Sequence, residues 1–430
     1  MRAGVARLDI TPTESIWMEG MLRAHRSEGV HDPIFAKALV LSNDERLDQA
    51  CAIVSVDVCS MPEWMTTEIR RRIESELGIP VSQTVIAVKH IHSGPDTDGD
   101  GEPEVRYTQT LKERLFQVVQ EAAGTLQPVK VGCASGRENT ISVYRRLLAD
   151  DGHVVMNWEP WPLDRLVAVL GVPDPEVGVL KVTDLAGQVS CLLFNHAGHP
   201  NVLSGDNYLI SAEYPGHAER LLEAEFGGTA IFVNGAQGTM DIDGLGPRTW
   251  AEMERIGAKL AAAVAETARA IEPAEEARVR CANLTYGLPA RQVPPEQLAW
   301  AEAIIEQTGG TVQPLADGVG DDFKALLLRR LHAVQDQPIP VEQVAIAIDD
   351  TVFVSFPGEL YTEIGLRIKA ESPFARTYII GLANGAVGYI PTRKAISEGG
   401  YAEDVRRVDV GAGDVVKSKS LQLLWQVYRR

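Results

Sequence analysis

Two short segments carry histidines immediately behind apolar runs, the placement from which a chain can build a metal or acid-base site. The first is Lys89-His90-Ile91-His92-Ser93-Gly94-Pro95, behind the run 84–88. Histidines at i and i+2 on extended backbone project from one face, so one can hold a metal while the other serves a substrate; two ordinary loop histidines would read the same way. The second is Asn195-His196-Ala197-Gly198-His199-Pro200-Asn201, behind the run 189–194. These two places hold four of the nine histidines, a concentration that favours metal binding by at least one from each. Two weaker signals share the pattern. Glu359 follows Pro357-Gly358 behind the run 345–356, where a residue of this kind is more often a first-turn helix residue complementing the dipole than a ligand. Tyr389 follows Asn384, Gly385 and Gly388 behind the run 377–382, where a packed ring with a bonded hydroxyl is the plain alternative. All four segments stand where open α/β sheets bind ligands, in the crevice outside the carboxyl ends of strands.

The runs that must position these residues are 51–57, 84–88, 128–133, 189–194, 229–234, 345–356 and 377–382, each short, apolar and bounded by turn residues. They read as buried strands. Between them, apolar residues recur three or four apart, as in Ile69, Ile73 and Leu77, in Leu111, Leu115, Val118 and Ala122, and in Trp250, Met253, Leu260 and Val264. That spacing predicts amphipathic helices. Strands alternating with helices predict an α/β protein with mixed β-sheets flanked by helices. Residues 272–345 differ in texture and are expected to form a helical insertion or subdomain within a single domain spanning 1–430. No internal repeat or low-complexity tract is visible.

Composition narrows the partners. With 41 basic and 59 acidic residues the formal charge is -18, which repels phosphate backbones and anionic lipid surfaces; nucleic acid and membranes are not expected as partners. No apolar stretch approaches the roughly 18 residues of a spanning helix, and the sequence opens without a recognisable secretion signal, so a cytoplasmic protein acting on a small molecule is expected. A homo-oligomer is compatible with this sequence. The five cysteines are scattered and read as core residues.

The four segments, in this order, resemble the catalytic domain of the neutral/alkaline non-lysosomal ceramidase family, and the likeness runs from Gly4-Val5-Ala6-Arg7-Leu8-Asp9-Ile10-Thr11-Pro12 to Glu398-Gly399-Gly400-Tyr401. The family's HTHSGP element is matched by His90 to Pro95. The resemblance implies a zinc ion held by His90, His199 rather than His196, Glu359 and Tyr389, on a neutral-ceramidase-like fold. Zinc accepts imidazole nitrogen and carboxylate oxygen, and a loosely held phenol would leave a position for water or a carbonyl. His92 is then expected to steady an oxyanion or shuttle a proton, with Lys89 facing away.

Departures from the family bear on the substrate. Asp241, in Gly238-Thr239-Met240-Asp241, falls where the family has a pocket serine; it is either a general base or a turn cap. Arg145 approximates a family arginine near the substrate, although a solvated arginine fits too. Glu213, Tyr214 and Asn384 are candidates for the pocket or its support, and Asp32 and Asp57 are expected to be structural. The chain ends without the family's immunoglobulin-like domain, which makes ceramide a poor expectation. The reading is a zinc-dependent hydrolase of an amide in a small or medium soluble substrate; a zinc esterase or lactonase is the nearest alternative, and a non-catalytic metal-dependent binding protein a more distant one.

Overall fold

Strands buried on both faces read as unbroken apolar runs; the expected runs, joined by Arg2–Asp9, Phe35–Ser42, Glu176–Thr183 and Val279–Leu288, which lie outside them, form three larger mixed sheets in a computed structural model that describes residues 1–242 and 248–430. The first has the order Thr84–Val88, Cys51–Val56, Phe35–Ser42, Arg2–Asp9 and a short Gln127–Pro128. The second has the order Thr229–Asn234, Val189–His196, Glu176–Thr183, Lys130–Arg137, and the third Arg376–Ile380, Thr351–Ser355, Ile339–Ile348, Val279–Leu288. In each, the first two strands named are parallel and the next pairings antiparallel. A parallel pair needs a crossover. Helices Glu63–Leu77, Glu213–Phe226 and Thr362–Glu371 make the three crossovers, and a longer helix follows each last strand: Glu102–Gly124, Trp250–Ala270 and Ala412–Tyr428.

The main elements therefore follow one β-β-β-α-β-α plan three times, with further strands and helices inserted, although no repeat is visible in the sequence. The repeat is one of topology. A strand needs only alternating buried positions and a helix only an apolar stripe, so three units share a plan without sharing residues.

Strand alternation then builds the core. In the first sheet Ala52, Val54 and Val56 pack under the unit's own helices, while Cys51 and Ile53 face a central core. Leu180, Leu193 and Ile231 of the second sheet and Val344, Ile346 and Phe353 of the third face that same core. Each sheet thus covers its outer face with two helices and shares its inner face with the other two sheets. Polar ties cross between sheets: Ser55 donates to the Phe232 carbonyl at 2.5 Å, and Asn195 donates to the Ile379 carbonyl at 2.8 Å.

Two details refine the expected elements. The run 345–356 is two antiparallel strands, turned at Asp349-Asp350, with Asp349 at φ 50°. Within 272–345, residues Val279–Leu288 are a sheet strand, and the helical part is the pair Pro295–Thr308 and Asp321–Val334.

Candidate metal centre and its cavity

The carboxyl ends of the three parallel pairs meet at one place, and each unit delivers a side chain there. The first contributes His90, two residues beyond Thr84–Val88, on a backbone at φ 70°. Its amide donates to the Val58 carbonyl and its Nδ1 to the Cys59 carbonyl at 2.9 Å. The second contributes His199, whose Nδ1 donates to the Met240 carbonyl at 2.8 Å. With both Nδ1 atoms spent as donors, both Nε2 atoms present lone pairs, the orientation by which outer carbonyls fix metal-binding imidazoles. The third contributes Glu359 and Tyr389, which stand opposite each other in a short parallel ladder of Glu359–Leu360 and Tyr389–Ile390.

The donor atoms converge. Glu359 Oε2 lies 3.0 Å from His199 Nε2 and 3.5 Å from His90 Nε2, and the Tyr389 hydroxyl lies 3.4 Å from His199 Nε2. All three of His90, His199 and Glu359 are buried, with ligand atoms within 4.8 Å of one another. Two imidazole lone pairs and a carboxylate this close repel unless positive charge sits among them. Protonation can supply that charge: burial opposes it on His90, but Cys59 and Glu359 push its pKa well above the usual value. A divalent cation supplies it equally, and the donor set of two nitrogens and a carboxylate oxygen suits zinc. Burial pushes the Glu359 carboxyl up, yet His90 and His199 outweigh it and hold it well below the ordinary range, so the carboxylate is anionic.

A second group, Cys59, His90 and His92, is also close enough to hold an ion. Burial pushes the Cys59 thiol up to about 11, and thiolate is the form that binds metal. The His90, His199 and Glu359 set is the better fit.

His92 lies beside this centre, its Nε2 3.3 Å from His90 Nε2, and its amide donates to the Pro200 carbonyl, which ties the two histidine loops together. Burial, then His90 and His199, push its pKa well below the usual value, so the ring is neutral. Its Nδ1 is buried without a hydrogen-bond partner among the described residues. His92 lines a cavity of about 510 Å³ together with Arg145, Trp158, Tyr389 and Tyr401.

Arg145 follows the strand Ser142–Tyr144, which pairs with Met240–Ile242. Its guanidinium reaches His199 Nε2 at 3.2 Å and the Gly238 carbonyl at 2.8 Å, and lies 5.0 Å from the Tyr389 ring centre and 5.3 Å from that of Trp158. It is 2 % exposed, which removes the solvated reading, and its Nε has no partner.

Asp241 and Glu213 are placed differently. Asp241 is buried behind His199, where Oδ2 accepts from Asn157 and Oδ1 from the Ile242 amide. Glu213, at φ 56°, accepts from Ser93 and from the Leu203 amide. Neither borders the cavity, whose walls are made by other residues; each supports a segment that does. Burial pushes the Glu213 carboxyl up to about 7. His196 bonds Ser142 and the Glu176 carbonyl, away from the cluster. Lys89 points the other way, to Asp57 at 2.6 Å and Glu219 at 2.7 Å. Asn384 bridges the Ile86 amide and the Thr84 carbonyl, Tyr214 donates to the Gly198 carbonyl, and Asp32 binds Ser211, Ala212 and Arg220.

Sequence reasoning missed the cavity wall made by residues 17–23. The loop 17–23 runs beside His92, and Arg23 donates to the His92 carbonyl at 2.8 Å. The loop 312–319 closes over the opposite side, where Leu315 donates to the Leu22 carbonyl and Gly205 to that of Ala316. Neither loop has periodicity to reveal it. Tyr401 was signalled only by Gly399-Gly400 before it.

No family model matches the chain. Solved structures do. The neutral ceramidase from Pseudomonas aeruginosa matches at a TM-score of 0.73 with 17% identity, over 100% of this chain and 74% of that one. A structure described as ceramidase complexed with C2 matches at 0.74 with 16% identity, over 100% of this chain and 75% of that one. At such low identity the likeness is one of backbone architecture over the full chain, and by that architecture this protein has the neutral ceramidase fold.

Proposed function

We propose that this protein is a zinc-dependent hydrolase that cleaves an amide bond in a small or medium substrate. The observation that carries the reading is the convergence of His90 Nε2, His199 Nε2 and Glu359 Oε2, each imidazole turned inward by a backbone carbonyl, at the end of a cavity. That the structural neighbours are ceramidases by name, and ceramide is an amide, supports the bond type.

His90, His199 and Glu359 would hold the ion, with Tyr389 as a weaker fourth ligand. An ion so held supplies Lewis-acid polarisation of a carbonyl and acidifies water towards a pKa of about 7. The protein's own groups supply the rest. His92, kept neutral by burial and by its two histidine neighbours, presents an unpartnered Nδ1 and can hold or move a proton at the reacting amide. Arg145, pinned against Tyr389 and Trp158, offers its free Nε–H to an oxygen gaining negative charge. Asp241 and Glu213 act through others, Asp241 by fixing Asn157 beneath Arg145, whose carbonyl accepts from the Asn157 amide, and Glu213 by fixing Ser93 next to His92.

The test combines metal analysis of purified protein with a panel of chromogenic amides and esters. Hydrolysis lost on chelation and restored by zinc is expected, with amides cleaved. His199→Ala is expected to lose bound metal and activity together. Stoichiometric zinc without turnover of any panel member would leave a metal-dependent binding protein, and turnover of esters alone would move the reading to an esterase.

A further inference from the structure

The cavity wall formed by Asn201 and the loop 312–319 has a chemistry that the hydrolytic centre does not use. Asn201 lies two residues beyond His199 and borders the cavity. It is 5 % exposed, and its Oδ1 is buried with no hydrogen-bond partner among the described residues. A buried amide oxygen left unpaired is costly, so its position at the cavity wall marks a place where a ligand completes the bond. Its backbone carbonyl accepts from Arg248 at 3.1 Å, and Arg248 also pairs with Asp317 at 3.1 Å. Asp317 borders the same cavity, and burial pushes its carboxyl up to about 6. Arg248 therefore ties the Asn201 backbone and the Asp317 carboxylate to one wall. Asp96 and Glu19 add acceptor character across the cavity.

We infer that Asn201 and Asp317 form a subsite for a hydrogen-bond donor on the substrate, a hydroxyl or an ammonium, so that the preferred amides carry a polar substituent near the scissile bond and not an unbroken alkyl chain. This rests on the cavity being where substrate binds. An alkyl group would leave the Asn201 Oδ1 desolvated and unpaired and would add nothing to the Asp317 carboxylate beyond its ion pair with Arg248. A donor can bond both. Sites built to bond a polar group reject the analogue that lacks it far more strongly than apolar pockets reject a changed methylene.

Trp17 and Trp158 border the cavity, so binding can be followed by tryptophan fluorescence without any turnover. Matched probes isolate the donor: N-phenylglycolamide against N-phenylpropanamide places it on the acyl side, and N-(2-hydroxyethyl)benzamide against N-propylbenzamide places it on the amine side. N-(2-aminoethyl)benzamide replaces the hydroxyl by an ammonium. In at least one series the donor-bearing member is expected to bind about tenfold more tightly than its alkyl partner. Asn201→Leu is expected to collapse that ratio to near one. Asn201→Asp, which keeps an acceptor and the residue's size, is expected to keep it and to favour the ammonium probe further; circular dichroism checks that both variants fold. Equal affinities in every pair, no binding of any probe, or a ratio that survives in folded Asn201→Leu would each overturn the subsite. A ratio seen in binding while no probe is hydrolysed would keep the subsite and remove the hydrolase reading instead.

Discussion

At the scale of single residues, the centre depends on buried charge that the surroundings must compensate. Glu213 illustrates the cost. Its Oε1 accepts from Ser93 and the Leu203 amide, but its Oε2 is buried without a partner, and burial pushes its pKa from 4.5 up to about 7. Between those two values the unfolded chain releases the proton while the folded protein retains it. The unfolded state then binds fewer protons, so stability falls as pH rises, by up to ~3 kcal/mol once pH exceeds the folded value. Glu213→Gln fixes the neutral form and removes this dependence. In urea unfolding, the stability of the parent relative to Glu213→Gln is expected to drop by about 3 kcal/mol between pH 4.5 and 8. An unchanged difference at the two pH values would mean that the carboxyl ionises as easily folded as unfolded.

At the scale of elements, the ligands are aimed by turns that depart from ordinary backbone. His90, Glu213, Leu382 and Asn384 all have positive φ, and three of these sit in the segments that follow the first and third parallel pairs. Such conformations cost about 1–3 kcal/mol each and persist where the surroundings over-determine them. Gly20 is the sharpest case in the cavity loops. Its φ is 97°, and a Cβ there would lie 2.5 Å from His92 Cγ. Gly20→Ala is therefore expected to displace the His92 ring, lowering kcat about tenfold or more while bound metal stays at the parent level; full activity in that variant would free His92 from the mechanism.

This contrast explains what the sequence made legible. The strands behind His90, His199 and Glu359 are continuous apolar runs because both faces are buried, so they announce themselves. The loops 17–23 and 312–319, which make most of the cavity, have no periodicity from which their conformation could be derived. The same holds for the short ladder that sets Glu359 opposite Tyr389. The turn at Asp349-Asp350 was hidden because strong strands flank it on either side.

At the scale of the whole molecule, one ion would join what three units otherwise share only through packing. His90 belongs to the first unit, His199 to the second, and Glu359 with Tyr389 to the third. Beneath them lies the apolar core that all three inner sheet faces share. A ligand that binds only the folded state stabilises it by RT ln(1 + [L]/Kd), about 4 kcal/mol when free ligand exceeds Kd a thousandfold. The unfolded chain separates His90 from Glu359 by hundreds of residues, so it cannot present the site. Zinc added to chelator-stripped protein is expected to raise the melting temperature by several degrees in differential scanning calorimetry. Because an ion held there would contact every unit, the rise should come as a shift of one transition and not as the separation of a single unit's melting from the rest. His199→Ala and Glu359→Gln should each lose most of the rise, whereas Tyr389→Phe, which keeps two imidazoles and the carboxylate, should retain the larger part. The same melting temperature with zinc and with chelator, in the parent as in His199→Ala, would leave the three units joined by packing alone and the centre without its ion.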